Sequence, residues 1–178
     1  MSWVTVIFSM IASACLTMAL IYGFVWWQKP GTYLNLLFAL AALGTAASAG
    51  CDLWEMHADS PAQFALALRW EHVSVWVTTL ALAGFVRLYL RAGRTWLLWT
   101  VCGLRTVSLF LNFLTGQNLN YREVTGLGHL SFLGETVSIG QGMPNPWMLV
   151  GQLSSLALVF FVADASLAVW RRREHRKA

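Results

Sequence analysis

The chain has 178 residues, 57% of them hydrophobic and 11% charged, against about 25% charged in a typical soluble domain. So much apolar surface cannot be hidden in one aqueous core of this size, which excludes an ordinary soluble domain and makes lipid part of the expected solvent. The net charge of +4 does not point to nucleic acid, because five of the twelve basic residues (Arg171, Arg172, Arg173, Arg176 and Lys177) directly follow the last apolar stretch, as at a membrane flank.

Five apolar stretches are long enough to cross a hydrocarbon core of about 30 Å at about 1.5 Å per residue. The first, Trp3–Trp27, lacks the basic start of a signal peptide and is too long for one. Ile11-Ala12-Ser13-Ala14-Cys15 loosely suggests a lipoprotein cleavage site, but the run continues past it, so a retained helix is expected. The second, Tyr33–Cys51, spaces Gly44 and Ser48 four apart among Ala42, Ala46 and Gly50. Small residues let a neighbouring backbone approach closely, so this is expected to be a packed central helix. The third, Ala62–Leu90, opens with Ser60-Pro61-Ala62-Gln63: an N-cap, a proline at the first helical position and a Gln in the capping-box place. The fourth is Trp96–Leu114. The fifth, Trp147–Trp170, follows Asn145-Pro146, which repeats the first two parts of that signal.

Residues 115–146 form the one long connection, and loops beyond about 12–15 residues are usually functional or disordered. Leu127, Leu130, Phe132, Leu133, Val137 and Ile139 stand among its glycines. The expectation is a segment folded against the outer membrane surface as short interfacial helices or a small cap. The fold class is thus an all-α integral membrane protein, a bundle of about five transmembrane helices forming a single domain (residues 1–170) with a basic tail (171–178).

Charge counting sets the orientation. With the N-terminus outside, the cytoplasmic segments hold Lys29, Arg87, Arg91, Arg94, Arg171, Arg172, Arg173, Arg176 and Lys177, with Glu174 as the one acid. The outer segments hold Arg69 and Arg122 against Asp52, Glu55, Asp59, Glu71, Glu123 and Glu135. The positive-inside rule then puts the C-terminus in the cytoplasm, and the expected location is the bacterial inner membrane.

Cys15, Cys51 and Cys102 lie in or at the end of apolar runs, with no Cys-x-x-Cys pair, and read as packing residues. Arg105 and Asp164 are ionisable residues within apolar spans, where charges are costly and usually paired. Counted from the cytoplasmic side, their depths are about 15 Å and about 10 Å, close enough for a buried Arg105–Asp164 ion pair joining the fourth and fifth helices. Such a pair acts as a switch or as a packing pin.

At the outer end, Arg69-Trp70-Glu71-His72 and Trp76 face Asp52, Trp54, Glu55 and His57 across a short loop. Asp52, Glu55, His57, Arg69, Glu71, His72 and Trp76 are therefore candidates for a polar pocket opening outward, for a small polar or amphipathic ligand, or with His72 as a pH sensor. The alternative is an interfacial belt with local salt bridges. His57 and His72, with Glu55 or Glu71 as a third ligand and His129 in the long loop, are the residues a metal would use, but no helical i,i+4 His pair occurs and no metal or other cofactor is expected. Nucleophile elbow, P-loop, Rossmann glycines and catalytic triad are all absent, so no enzyme is expected.

Several spaced patches carry a likeness: Arg87-Leu88-Tyr89-Leu90-Arg91-Ala92-Gly93-Arg94, Leu111-Asn112-Phe113, and the outer-loop run Asn118-Leu119-Asn120-Tyr121-Arg122-Glu123. Phe132-Leu133-Gly134-Glu135, Pro144-Asn145-Pro146 and Ala163-Asp164-Ala165-Ser166 before Trp170-Arg171-Arg172 continue it. Over nearly the whole chain, and most from about Trp54 onward, the sequence resembles the multi-helix N-terminal sensor region of PAS-containing bacterial sensor histidine kinases. In that family further membrane helices, PAS and kinase domains would follow. These 178 residues contain none of them, so kinase activity is not expected of this chain, which is either a piece or a stand-alone relative acting through a partner.

The first functional expectation is a membrane sensor or ligand-binding module that relays an outer or lipid-borne signal to a protein partner in the membrane or cytoplasm. The second is a non-catalytic accessory subunit of a larger membrane complex, and a third is a quinone- or haem-binding redox module.

Overall fold

A computed structural model describes residues 3–132 and 134–174. Five helices, α1 (Trp3–Gln28), α2 (Tyr33–Met56), α3 (Pro61–Leu90), α4 (Thr95–Leu114) and α5 (Met148–Glu174), overlie the five apolar stretches. Each is long and apolar enough to cross a membrane, the architecture of a multi-pass membrane protein. Between α4 and α5 lie two strands, β1 (Tyr121–Phe132) and β2 (Glu135–Pro144).

Large apolar side chains cover the outside. Ile21, Phe24, Leu153, Val159 and Phe160 are all exposed, and only Val4 and Ala19 of α1 are buried. The centre of the bundle is α3, which corrects the expectation that the second helix is central: α3 touches α2, α4, α5 and both strands, whereas α2 packs mainly between α1 and α3. The small residues of α2 still do what their spacing suggests. A Cβ on Gly44 would collide with Thr78 Oγ1 and stand 3.0 Å from the Ser74 carbonyl oxygen, so glycine sets how closely α2 and α3 approach.

The start of α3 follows its sequence signal. Ser60 is extended and its Oγ accepts from the Gln63 N–H at 3.3 Å, while Gln63 Oε1 accepts from the Asp59 N–H at 3.1 Å, with Pro61 in the first turn. α3 ends at Arg91, whose φ of 47° is left-handed. A non-glycine residue there costs about 1 kcal/mol. Arg87 stitches the next turn, donating to the carbonyls of Ala92 and Gly93 and to Thr95 Oγ1. Gly93, at φ 92°, brings Phe161 and Ala165 against the chain, and with Ala83, Val86 and Val101 these form a dry core between α3, α4 and α5.

The segment 115–146 is not helical. β1 and β2 pair antiparallel with Leu127 opposite Gly140, and irregularities near Tyr121–Glu123 and Val124–Gly126 bend the root. Val124, Thr125, Thr136, Val137 and Ile139 favour extended backbone, and strands satisfy the backbone groups of this stretch by pairing. The hairpin docks beside the α2–α3 loop: Val124 joins Ala58, Phe64, Ala65 and Leu68 in a buried cluster, and Ser138 Oγ donates to the Ala58 carbonyl at 2.9 Å. Phe64 packs where a Cβ on Gly140 would be.

Three asparagines fix the hairpin root, and each is at least 99% buried. Asn112 donates to the Arg69 carbonyl and accepts from the Leu119 N–H, both at 2.9 Å. Asn118 accepts from the N–H groups of Asn120 and Tyr121 at 3.0 and 2.8 Å. Asn145 donates to Thr115 O, Thr115 Oγ1 and Asn118 O, and accepts from the Trp147 N–H at the entry to α5.

A polar cleft as candidate functional site

Successive residues of α3 point to different neighbours, and this sorts the polar end beside the hairpin. Arg69 turns toward the end of α4. It donates to the carbonyls of Asn112 and Phe113 at 3.5 and 3.4 Å and lies 5.3 Å from the Phe113 ring centre, so it caps α4's final carbonyls. Trp76 Nε1 donates to Thr106 Oγ1 at 3.1 Å and pins α3 to α4. Both are bracing residues.

Glu71 and His72 instead line an open cleft of about 280 Å³, walled by α3, α4 and the first two turns of α5 and roofed by Leu119 and Asn120 of the hairpin root. Arg105 of α4 reaches into the same cleft, as do Gln152 and Ser155 of α5. His72 is held by a 2.9 Å hydrogen bond from Nδ1 to the Leu68 carbonyl. With that nitrogen donating, Nε2 is the acceptor in the neutral ring, and Asn120 lines the cleft beside it. Gly151 makes room on the α5 side, where a Cβ would stand 3.1 Å from Leu119 and 3.6 Å from Arg105 Nη1.

Arg105 is 6% exposed. Glu71 is its electrostatic counterpart, yet among the described residues no acceptor takes a hydrogen bond from its guanidinium. Its N–H donors are therefore left for whatever fills the cleft. A cleft that presents five N–H donors opposite a carboxylate, with an imidazole and two amides between, is equipped to bind. It contains no activated nucleophile.

The expected Arg105–Asp164 pair is corrected. Asp164 accepts from the Arg94 N–H at 2.9 Å, and its other oxygen lies 3.5 Å from Arg94 Nε. Depth alone misled: α4 and α5 run antiparallel, Arg105 stands level with Gly151, and Asp164 is thirteen residues further along α5, about 20 Å away by the helical rise. Asp164 belongs where it is for a simple reason. The free N–H groups and positive dipole end of α4 attract a carboxylate.

The remaining candidates separate. Asp52 and Glu55 lie within α2, which runs past Cys51 to Met56, and both are electrostatic neighbours of Glu71. Glu55 keeps a buried Oε1 without a hydrogen-bond partner among the described residues. His57 ends α2, exposed, with Nδ1 2.8 Å from the Leu53 carbonyl. Of the loop candidates Asn120, Tyr121, Arg122, Glu123 and Glu135, Asn120 lines the cleft. The Tyr121 hydroxyl donates to the Gly140 carbonyl, Arg122 and Glu123 are exposed on β1, and the Glu135 side chain lies outside the described residues. Among the described residues no group of three or more His, Cys, Asp or Glu is arranged to hold a metal ion.

The sequence reading did not select Asn112, Asn118, Gln152 or Ser155 for the site, and it took Asn145 only as a helix start. Of the four, Asn112 carried a signal, an amide within an apolar span. Compared with known proteins, the chain matches no family model, no curated protein and no solved structure.

Proposed function

We propose that this chain is a multi-pass protein of the bacterial inner membrane that binds a small polar or amphipathic ligand in the Arg105 cleft and passes the event to a partner through α5. The observation that carries this reading is Arg105, a buried residue whose guanidinium lines a cleft large enough for a small molecule and donates to no acceptor among the described residues. The N-terminus and hairpin are outside and the basic tail is cytoplasmic, because Lys29, Arg87, Arg91, Arg94, Arg171 and Arg172 crowd one end and the acidic residues of α2 and α3 the other.

α5 suits the relay. It contributes Gln152 and Ser155 to the cleft, is tied near the hairpin by Asn145, and is tied at the basic end by Asp164–Arg94 and by Arg172, which donates to the Arg91 carbonyl at 3.2 Å. A ligand that prefers one placement of α5 shifts the basic end by its difference in affinity for the two placements. The resemblance to sensor regions of histidine kinases points the same way. The role is non-catalytic.

The test is to purify the full chain and an Arg105→Met variant in mild detergent and identify by mass spectrometry the small molecules each retains. A compound held stoichiometrically by the parent and lost by the variant is expected. Identical retained compounds, or none in either, would defeat the reading.

A further inference from the structure

A larger cavity than the Arg105 cleft lies at the other end of the bundle. A cleft of about 660 Å³ separates the α1–α2 turn from the last turn of α3 and is lined by Thr32, Tyr33, Asn35, Arg87, Leu88 and Arg91 among others. We propose that it seats the headgroup phosphate of an anionic phospholipid, with the acyl chains running up past Tyr33 and Leu88. This rests on the membrane-spanning part of the functional reading and is independent of the Arg105 ligand.

Charge complementarity selects this occupant. Two arginines and no carboxylate line the cleft, Lys29 stands two residues before its Gly31 wall, and Asp164 of α5 is already engaged by Arg94. The positive end of the α2 dipole adds to the field. The two arginines differ in availability. Arg87 is held by the carbonyls of Ala92 and Gly93 and by Thr95, so it supplies fixed charge. Arg91 is exposed, and its side chain has no hydrogen bond or ion pair among the described residues. Its backbone is left-handed, where glycine would sit without strain. The chain therefore holds a cation in a strained position with nothing internal to bind, beside a cleft. The apolar side of the ligand is matched as well: Tyr33 and Leu88 are 63% and 45% exposed next to the arginines. Basic pockets at helix ends in membranes recognise such headgroups.

The experiment titrates the full chain, in neutral detergent, with dioleoylphosphatidylglycerol or dioleoylphosphatidylcholine and follows the thermal unfolding midpoint by tryptophan fluorescence. The phosphatidylglycerol is expected to raise the midpoint at concentrations where the phosphatidylcholine does not. Arg91→Gly should keep or raise the lipid-free midpoint yet weaken the apparent phosphatidylglycerol affinity about fivefold, the effect of one basic residue at a membrane surface. Arg91→Gln, which keeps the strained backbone and loses the charge, should weaken it equally, and Arg122→Gly in the hairpin should not. Equal response to both lipids, undiminished phosphatidylglycerol binding by both Arg91 variants, or full reproduction of the shift by inorganic phosphate overturns the proposal. None of these outcomes bears on whether the chain needs detergent, which tests the membrane reading separately.

Discussion

Replacing Asn145 by Ala should release the hairpin from the bundle. The Asn145 amide is 1% exposed and donates to Thr115 O at 3.2 Å, Thr115 Oγ1 at 3.1 Å and Asn118 O at 3.0 Å, while its oxygen accepts from the Trp147 N–H at 3.3 Å. The substitution leaves two carbonyls and one N–H without their partner, at about 1 kcal/mol each. The N–H is the cap of α5, already counted among the three. The expected loss is about 3 kcal/mol, read as a lower thermal midpoint of the full chain in detergent. Hydrogen exchange locates the damage: amides of β1 and β2 should exchange faster, and those of α1 and α2 should not. Asn145→Asp separates the donors from the acceptor. It keeps an oxygen for Trp147 but turns a carboxylate oxygen toward two carbonyls, so it should be at least as damaging as alanine. An Asn145→Asp chain as stable as the parent would refute the assignment of the three donated bonds.

Two further outcomes follow from the packing. Asp164→Ala should cost about 1 kcal/mol, because it removes a partly exposed cap and ion pair from the start of α4. Its effect on the thermal midpoint should add to that of Arg105→Met, since the two sites share no partner; strong coupling in the double-mutant cycle would restore the direct pair. Gly44→Ala should lower the midpoint by an amount equivalent to about 1–3 kcal/mol, because the new methyl meets Thr78 and the Ser74 carbonyl. Gly50→Ala, with nothing within 4 Å of the added carbon, should be neutral or slightly stabilising, and equal effects at the two glycines would contradict the α2–α3 contact.

Helix positions were legible because 20 to 30 consecutive apolar residues leave few alternatives, and the α3 start because Ser60, Pro61 and Gln63 act on their own neighbours. The candidate site was half legible. Glu71 and His72 stood out as polar residues at a span's end, but Arg105 was drawn to the wrong partner, because the depth counted for Asp164 ended the span at Trp170, whereas α5 runs on to Glu174 and its register sets Arg105 beside Gly151 and Asp164 at the start of α4. The hairpin was obscured by Gly126, Gly128, Gly140 and Gly142, which dilute the alternation of a strand; Gly140 and Gly142 are there because Phe64 and the backbone of Glu123 occupy the space of a side chain. Asn118 left no local mark, and Asn145 left only a helix-start signal with Pro146, borne out by its oxygen accepting from the Trp147 N–H but silent on its tie to the hairpin. Their partners lie up to 53 residues away, and only the closed fold brings them together.

Sidedness is the measurement on which everything else depends. A cysteine placed at Arg122 in an otherwise cysteine-free chain, and a second one placed at Ser166 near the basic end, are treated in intact cells with a maleimide that cannot cross the inner membrane. The protein should be recovered in the membrane fraction, with position 122 labelled in intact cells and position 166 only after the membrane is opened. Recovery from the soluble fraction, or equal labelling of both positions in intact cells, would contradict the account.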